Sequence, residues 1–202
     1  MDSGNRFGDM EISDPKTMRA LAHPVRLAIL ERLQRHGPAT ASRLSPHVGA
    51  TPSVTSWHLR HLAGFGLVRD AEGGTDRRER RWASVARGFR FEAAEDEEGW
   101  SAAQELAGEM FARRADVPLR WLTGTAPDLE PEWSRLAGAG DTRIMVTAEE
   151  LAALKDAMEE LIAPYVARNR DRRPPDGRGV RLLMYTLPEG AGNEGSETDI
   201  PE

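Results

Sequence analysis

The chain has 202 residues, enough for one domain with an appendage or two small ones, and its 39% hydrophobic content supports a core diluted by 19 glycines and 13 prolines. It has no cysteine, which excludes disulfides, thiolate metal sites and cysteine nucleophiles. No apolar run reaches signal-peptide or membrane-spanning length, so a soluble, cytoplasmic chain with no membrane partner is expected. The net charge of −6 is segregated: residues 10–92 hold 14 Lys+Arg against 8 Asp+Glu, leaving 13 against 25 elsewhere. A basic module joined to an acidic one suits phosphate attraction at one end only.

In chain order, residues 1–13 are polar and glycine-containing and read as a flexible arm. Asp14-Pro15 caps a short helix through Ala22, and His23-Pro24 restarts the chain. In 25–35, Val25, Ala28, Ile29 and Leu33 share one face with Leu27 and Leu30 beside them, the broad stripe of a central buried helix that Gly37-Pro38 ends. Thr40 caps the next helix, anchored by Leu44 and Val48 and closed by Gly49; Pro46 removes a backbone bond there and predicts a short or bent helix.

The stretch 51–68 carries the most chemistry. Thr51 is a natural cap and Pro52 suits the first helical position, where the missing N–H costs nothing. Thr55, His58, Leu59 and Leu62 recur at three- and four-residue steps and form an inward face; Ser53, Ser56, Trp57 and Arg60 point away from it. Short hydroxyls let a helix lie deep in a major groove, and an arginine there can take guanine O6 and N7 together. Trp57 has two readings, contact with a thymine methyl or sugar and cover for the preceding helix; His61 is placed near phosphate. Gly64 and Gly66 stop the helix, and a strand from Leu67-Val68 pairs with 80–86 across a turn at Gly73-Gly74-Thr75-Asp76. At its tip Arg77, Arg78, Arg80 and Arg81 surround Glu79; they either hold phosphates beside the helix or form a solvated hairpin end.

Two signatures then become specific. Leu21-Ala22-His23-Pro24-Val25-Arg26-Leu27-Ala28-Ile29-Leu30, followed by Ser56-Trp57-His58-Leu59-Arg60-His61-Leu62 and Gly66-Leu67-Val68, resembles the arsenic-repressor-like (ArsR-like) winged-helix regulators over roughly residues 15–90. The resemblance implies dimeric, sequence-specific binding of double-stranded operator DNA, usually repression, and a long helical C-terminal extension is familiar in actinobacterial relatives. Metal sensing is common in that family. Here His58 and His61 stand three apart without cysteines or a clear carboxylate partner, so His58 is read as a core residue and no metal or other cofactor is expected.

Beyond Glu92 the composition changes. Residues 100–122 are helical in pattern, with Ala103, Leu106, Ala107, Met110 and Phe111 on a face that either pairs with a second subunit or packs within the chain, and Pro118 interrupts it. Residues 142–146 read as a strand, Thr147 with Glu150 as a capping box for a helix bearing Leu151, Leu154, Met158, Leu161 and Ile162, and 180–187 as a second strand. The strands would pair around that helix as a crossover unit. Trp100, Met110, Phe111 and Trp121 either belong to a core or line a pocket for a small-molecule effector against the long helix.

The sequence therefore predicts an α+β chain: a flexible arm (1–13), a winged helix-turn-helix domain (14–92), a mostly helical dimerisation and regulatory region with two short strands (93–187) and a disordered acidic tail (188–202). It carries no nucleophile motif, phosphate loop or zinc-protease signature, so it is read as a non-enzyme. Two functions remain open: a homodimeric DNA-binding repressor, and a winged-helix protein-interaction module without specific DNA binding.

Overall fold

Polar side chains placed just before each apolar run set the helix starts. In the computed structural model, which describes residues 5–71, 80–91, 96–168 and 174–190, the Asp14 carboxylate accepts from the backbone N–H groups of Lys16 and Thr17 at the head of α1 (Pro15–Leu21). His23 Nδ1 accepts from Val25 N–H at 3.2 Å to open α2 (Pro24–His36). Thr40 and Thr51 cap α3 (Ala41–Val48) and α4 (Pro52–Gly64), and Asp96 caps α5 (Glu97–Arg114). Each hydroxyl, carboxylate or imidazole satisfies an N–H that has no partner inside its helix.

The chain divides into two compact units, Met1–Ala167 and Arg168–Glu202. In the first, β1 (Met10–Ile12) precedes α1 and α2; β2 (Ala39–Thr40) lies between α2 and α3; β3 (Val68–Asp70) follows α4, and β4 (Arg81–Ser84) and β5 (Phe89–Phe91) follow in turn. The order helix, strand, two helices, antiparallel hairpin is that of a winged helix. β4 is the centre of an antiparallel sheet, β2-β4-β3, in which Ala39 faces Trp82 and Val68 faces Ser84. Met18, Leu21, Ile29, Leu44, Leu59 and Leu62 are fully buried where α1 to α4 converge, and Trp82 of β4 closes the core from the sheet side.

The end of α4 explains how the wing is aimed. Gly66 sits at φ 69°; its N–H reaches Ala63 O at 3.0 Å and Leu67 N–H reaches Leu62 O at 3.0 Å. These two bonds form a Schellman closure, with Leu62 and Leu67 both buried beneath it. The chain thereby leaves α4 directly into β3. Pro46 is accommodated in α3, which is only 8 residues long and ends at left-handed Gly49.

Several expectations are corrected. The arm over 1–13 contains β1, whose residues pair in parallel with β5, Met10 opposite Phe89 and Ile12 opposite Phe91, and Ile12 is buried. A three-residue strand has too few positions to show a period. The compositional change after Glu92 is no packing boundary, because Ala102, Ala103 and Leu106 of α5 enter the same core as α1 to α4. Arg113 ties that helix down, donating to Pro24 O and to Glu31 Oε2 at 2.9 Å. The apolar stripe of α5 thus packs within the chain, with Met110 against the core and Phe111 exposed at its end.

After α5 come α6 (Val117–Gly124), a 3-10 turn (Ala126–Asp128), α7 (Pro131–Ser134) and α8 (Ala148–Val166). The capping box of α8 is formed, Glu150 accepting from Thr147 N–H while the Thr147 hydroxyl accepts from Glu150 N–H. The strand expected over 142–146 is not formed: the segment has no ladder partner among the described residues, and Met145 is 98% exposed. Neither side of its alternation is covered, so nothing holds it as a strand.

In the second unit, Gly177 N–H closes a turn onto Pro174 O at 2.9 Å. The strand expected over 180–187 is not formed there either, with Val180, Leu182, Met184 and Leu187 all exposed. The crossover unit is therefore not observed. Of the tail expected to be disordered over 188–202, residues 191–202 lie outside the described residues.

Candidate nucleic-acid interface

α4 is seated from below by Leu59 and Leu62, and Thr55 and His58 complete its buried face. The opposite side carries Pro52, Ser53, Val54, Trp57 and Arg60, all exposed, with Ser56 and His61 half-buried at its margins and Thr51 exposed at the cap. The helical spacing thus separates the two faces as the sequence indicated. Val54, 45% exposed in the second turn, belongs to the outer face although its apolar side chain gave no reason to expect it there.

The outward face has its own order. Ser56 Oγ accepts from Arg60 Nη1 at 2.9 Å, one helical turn away, which holds the guanidinium along the helix while leaving other donors free. The Trp57 ring lies parallel to His61, with centroids 5.5 Å apart and an interplanar angle of 16°, and edge-on to His58 at 4.9 Å. It is still 55% exposed, so it covers its neighbours with one face and offers the remainder outward. His61 is also against Phe65, at 5.1 Å, and its ring is part of an aromatic stack.

Behind α4 lies a cluster of nitrogen groups. His58 is buried with Nδ1 lacking a hydrogen-bond partner, and its ring centroid is 4.7 Å from that of His23. Arg26 Nε is likewise buried without a partner. Burial first, then the nearby His23 and Arg26, holds His58 below the usual imidazole range. Burial and Arg26 do the same to His23, against the pull of Glu109, and to His61. Neutral imidazoles are favoured, since a proton on any one would sit among other positive groups in a poorly hydrated space.

At the wing, Arg77, Arg78 and the turn at Gly73-Asp76 lie outside the described residues. Arg80 is described and is engaged: Nε and Nη2 reach the two carboxylate oxygens of Asp70 at 2.6 and 3.0 Å, and the guanidinium stands 4.1 Å over the Trp82 ring. That pairing lowers the Asp70 carboxyl and raises Arg80 further above its ordinary range. Arg81 donates to Pro38 O at 2.8 Å. Both arginines therefore brace the base of the hairpin. Sequence reasoning grouped them with the tip because the partners lie in other strands and loops, ten and more residues away.

Among the described residues no group of three or more histidines and carboxylates is placed to hold a metal ion, and no helix is long and apolar enough to cross a membrane.

Comparison with known proteins bears on the same region. A family model described as a helix-turn-helix domain matches residues 21–71, about a quarter of the chain. Together with the element order, it defines α2 to β3 as a helix-turn-helix domain in winged-helix form. No curated protein gives a significant match.

Among solved structures, a MarR family regulator from Neisseria meningitidis is 19% identical, covering 70% of this chain and 79% of that one at a TM-score of 0.32. A transcriptional regulator from Thermotoga maritima is 17% identical over 70% and 79% with a TM-score of 0.30. A MarR family protein from Mycobacterium tuberculosis, solved in complex with salicylic acid, is 17% identical over 74% and 87% with a TM-score of 0.30. At that similarity these structures add nothing to the assignment, which rests on the helix-turn-helix match and the fold itself.

Proposed function

We propose that this chain is a sequence-specific DNA-binding transcriptional regulator, acting as a homodimeric repressor on an imperfectly palindromic operator. The observation that carries the reading is the division of α4. A face of fully buried side chains fixes the helix, and a face of hydroxyls, Trp57 and Arg60 stands exposed within a matched helix-turn-helix domain. In a major groove, Ser53, Ser56 and Arg60 would meet base edges, while Thr51, Pro52 and His61 lie at the ends of that surface. Arg77 and Arg78 would add phosphate attraction from the wing, and Arg80 sets the wing's base. The two sequence signatures support an arsenic-repressor-like subtype within this reading.

α8 supports the dimer. It buries none of its residues, and Leu154, Met158, Leu161 and Tyr165 stay exposed on it; a helix with that much apolar surface is stabilised by a partner copy. A small-molecule effector bound in the region of α5, α6 and α8 would regulate the repressor.

The test is fluorescence anisotropy with operator DNA drawn from the gene's own upstream region. Arg60→Ala should weaken cognate binding by about 1–3 kcal/mol and relax preference at one base pair, whereas Arg78→Ala should weaken all sequences alike and lower the salt slope by about 1. Equal affinity of wild type for cognate and scrambled duplexes would remove base reading and favour the protein-interaction alternative.

A further inference from the structure

A second cationic site lies away from the outward face of α4. A cavity of about 290 Å³ opens between the C-terminal half of α2 and the length of α3, lined by Arg32 and His36 from one helix, Arg43 and His47 from the other, with Pro38 and Leu44 among its walls. Each helix contributes two basic side chains one turn apart, so all four converge on one space. Among the described residues no carboxylate lines it.

The helix dipole does not account for all four groups. Basic groups at the C-terminal end of α2 suit the helix dipole, but Arg43 stands in the first turn of α3, where a positive charge is unfavourable. Its guanidinium makes no hydrogen bond or ion pair among the described residues. Arg32 Nη2 lies 3.1 Å from His47 Nε2. Arginine can only donate, so His47 accepts, and neither Arg32 nor Arg43 has a carboxylate partner among the described residues.

We propose that this cavity binds a phosphoryl oxyanion. Two guanidinium groups present N–H donors to a tetrahedral anion, and the charge-assisted bonds they form are stronger than neutral ones. The volume is at the lower edge of small-molecule clefts, roughly 300–1,000 Å³, enough for a phosphoryl group with a small organic body. The oxyanion comes either from a free phosphorylated molecule or from a DNA backbone phosphate beside the helix-turn-helix.

The experiment uses the full chain and inorganic phosphate as probe, in isothermal titration at constant ionic strength with chloride as the control anion. Wild type should show saturable binding of one phosphate per chain, and Arg43→Gln and Arg32→Gln should each weaken it at least tenfold. Their circular-dichroism melting curves should match wild type, since Arg43 is exposed and Arg32 half-buried. No saturable phosphate binding by wild type, or undiminished binding by Arg43→Gln, overturns the site. This arm contains no DNA, so its result is independent of the proposed regulator function.

Anisotropy with operator DNA in phosphate-free buffer then separates the sources. Loss of affinity for every sequence in Arg43→Gln, with the salt slope reduced by about 1, assigns a backbone phosphate. DNA binding equal to wild type assigns a free phosphorylated molecule.

Discussion

Replacing Thr55 by valine should stabilise the protein. Thr55 is 0% exposed on the inner face of α4, its backbone N–H is bonded to Thr51 O at 2.8 Å, and its Oγ1 is buried without a partner. An unsatisfied buried hydroxyl costs about 1–3 kcal/mol. Valine has nearly the same shape, differs little from threonine in helix propensity, and holds a single χ1 rotamer in a helix. A net gain of about 1–2 kcal/mol is expected, which for a chain of this length is roughly 2–8 °C in Tm.

The control is Thr55→Ser, which keeps the hydroxyl and removes a methyl; it should lose about 1 kcal/mol through lost burial and the cavity left behind. Urea titration followed by circular dichroism reads both, with unchanged m-values as the check that compactness is unaltered. DNA affinity should stay the same, because the residue faces inward. A valine variant less stable than wild type by more than about 0.5 kcal/mol would mean that the hydroxyl is satisfied and that the orphaned-group reasoning is wrong.

Other outcomes follow from the same geometry. Gly66→Ala should destabilise by about 1–2 kcal/mol in the same titration, since the left-handed φ of 69° penalises a Cβ although no atom lies within 4 Å of it. The three imidazoles behind and beside α4 should make stability pH-dependent. Their folded pKa values are lowered, so the unfolded chain binds more protons as pH falls below about 6.5, and stability declines from there toward the folded values. Thermal melts between pH 7.5 and 5 should show this fall. His58→Leu should flatten it, and a slope unchanged by that substitution would place the titration elsewhere.

How much the sequence disclosed varies with the physics of each element. α4 was legible because a helix with one buried face repeats its apolar residues every three or four positions, and Thr55, His58, Leu59 and Leu62 are the residues buried. β1, β2 and β5 were not, since strands of two or three residues carry no period and are held by partners distant in the chain. Over 142–146 and 180–187 the opposite error arises: the pattern suits a strand, but no strand among the described residues lies beside either segment to form a ladder. Arg80 shows the same limit at the level of a site, since its charge was visible and its cross-strand pairing with Asp70 was not. The cavity between α2 and α3 brings together residues 11 apart in sequence, Arg32 and Arg43, that no local pattern connects.

In the proposed function, the exposed face of α4 and the wing engage a DNA duplex. The decisive experiment is binding of the full chain to its own upstream region, titrated across salt concentrations. Log K should fall linearly with log salt, losing about 0.9 in slope for each phosphate neutralised, and cognate DNA should stay preferred over a scrambled duplex throughout. No binding to either duplex at the lowest ionic strength would contradict it.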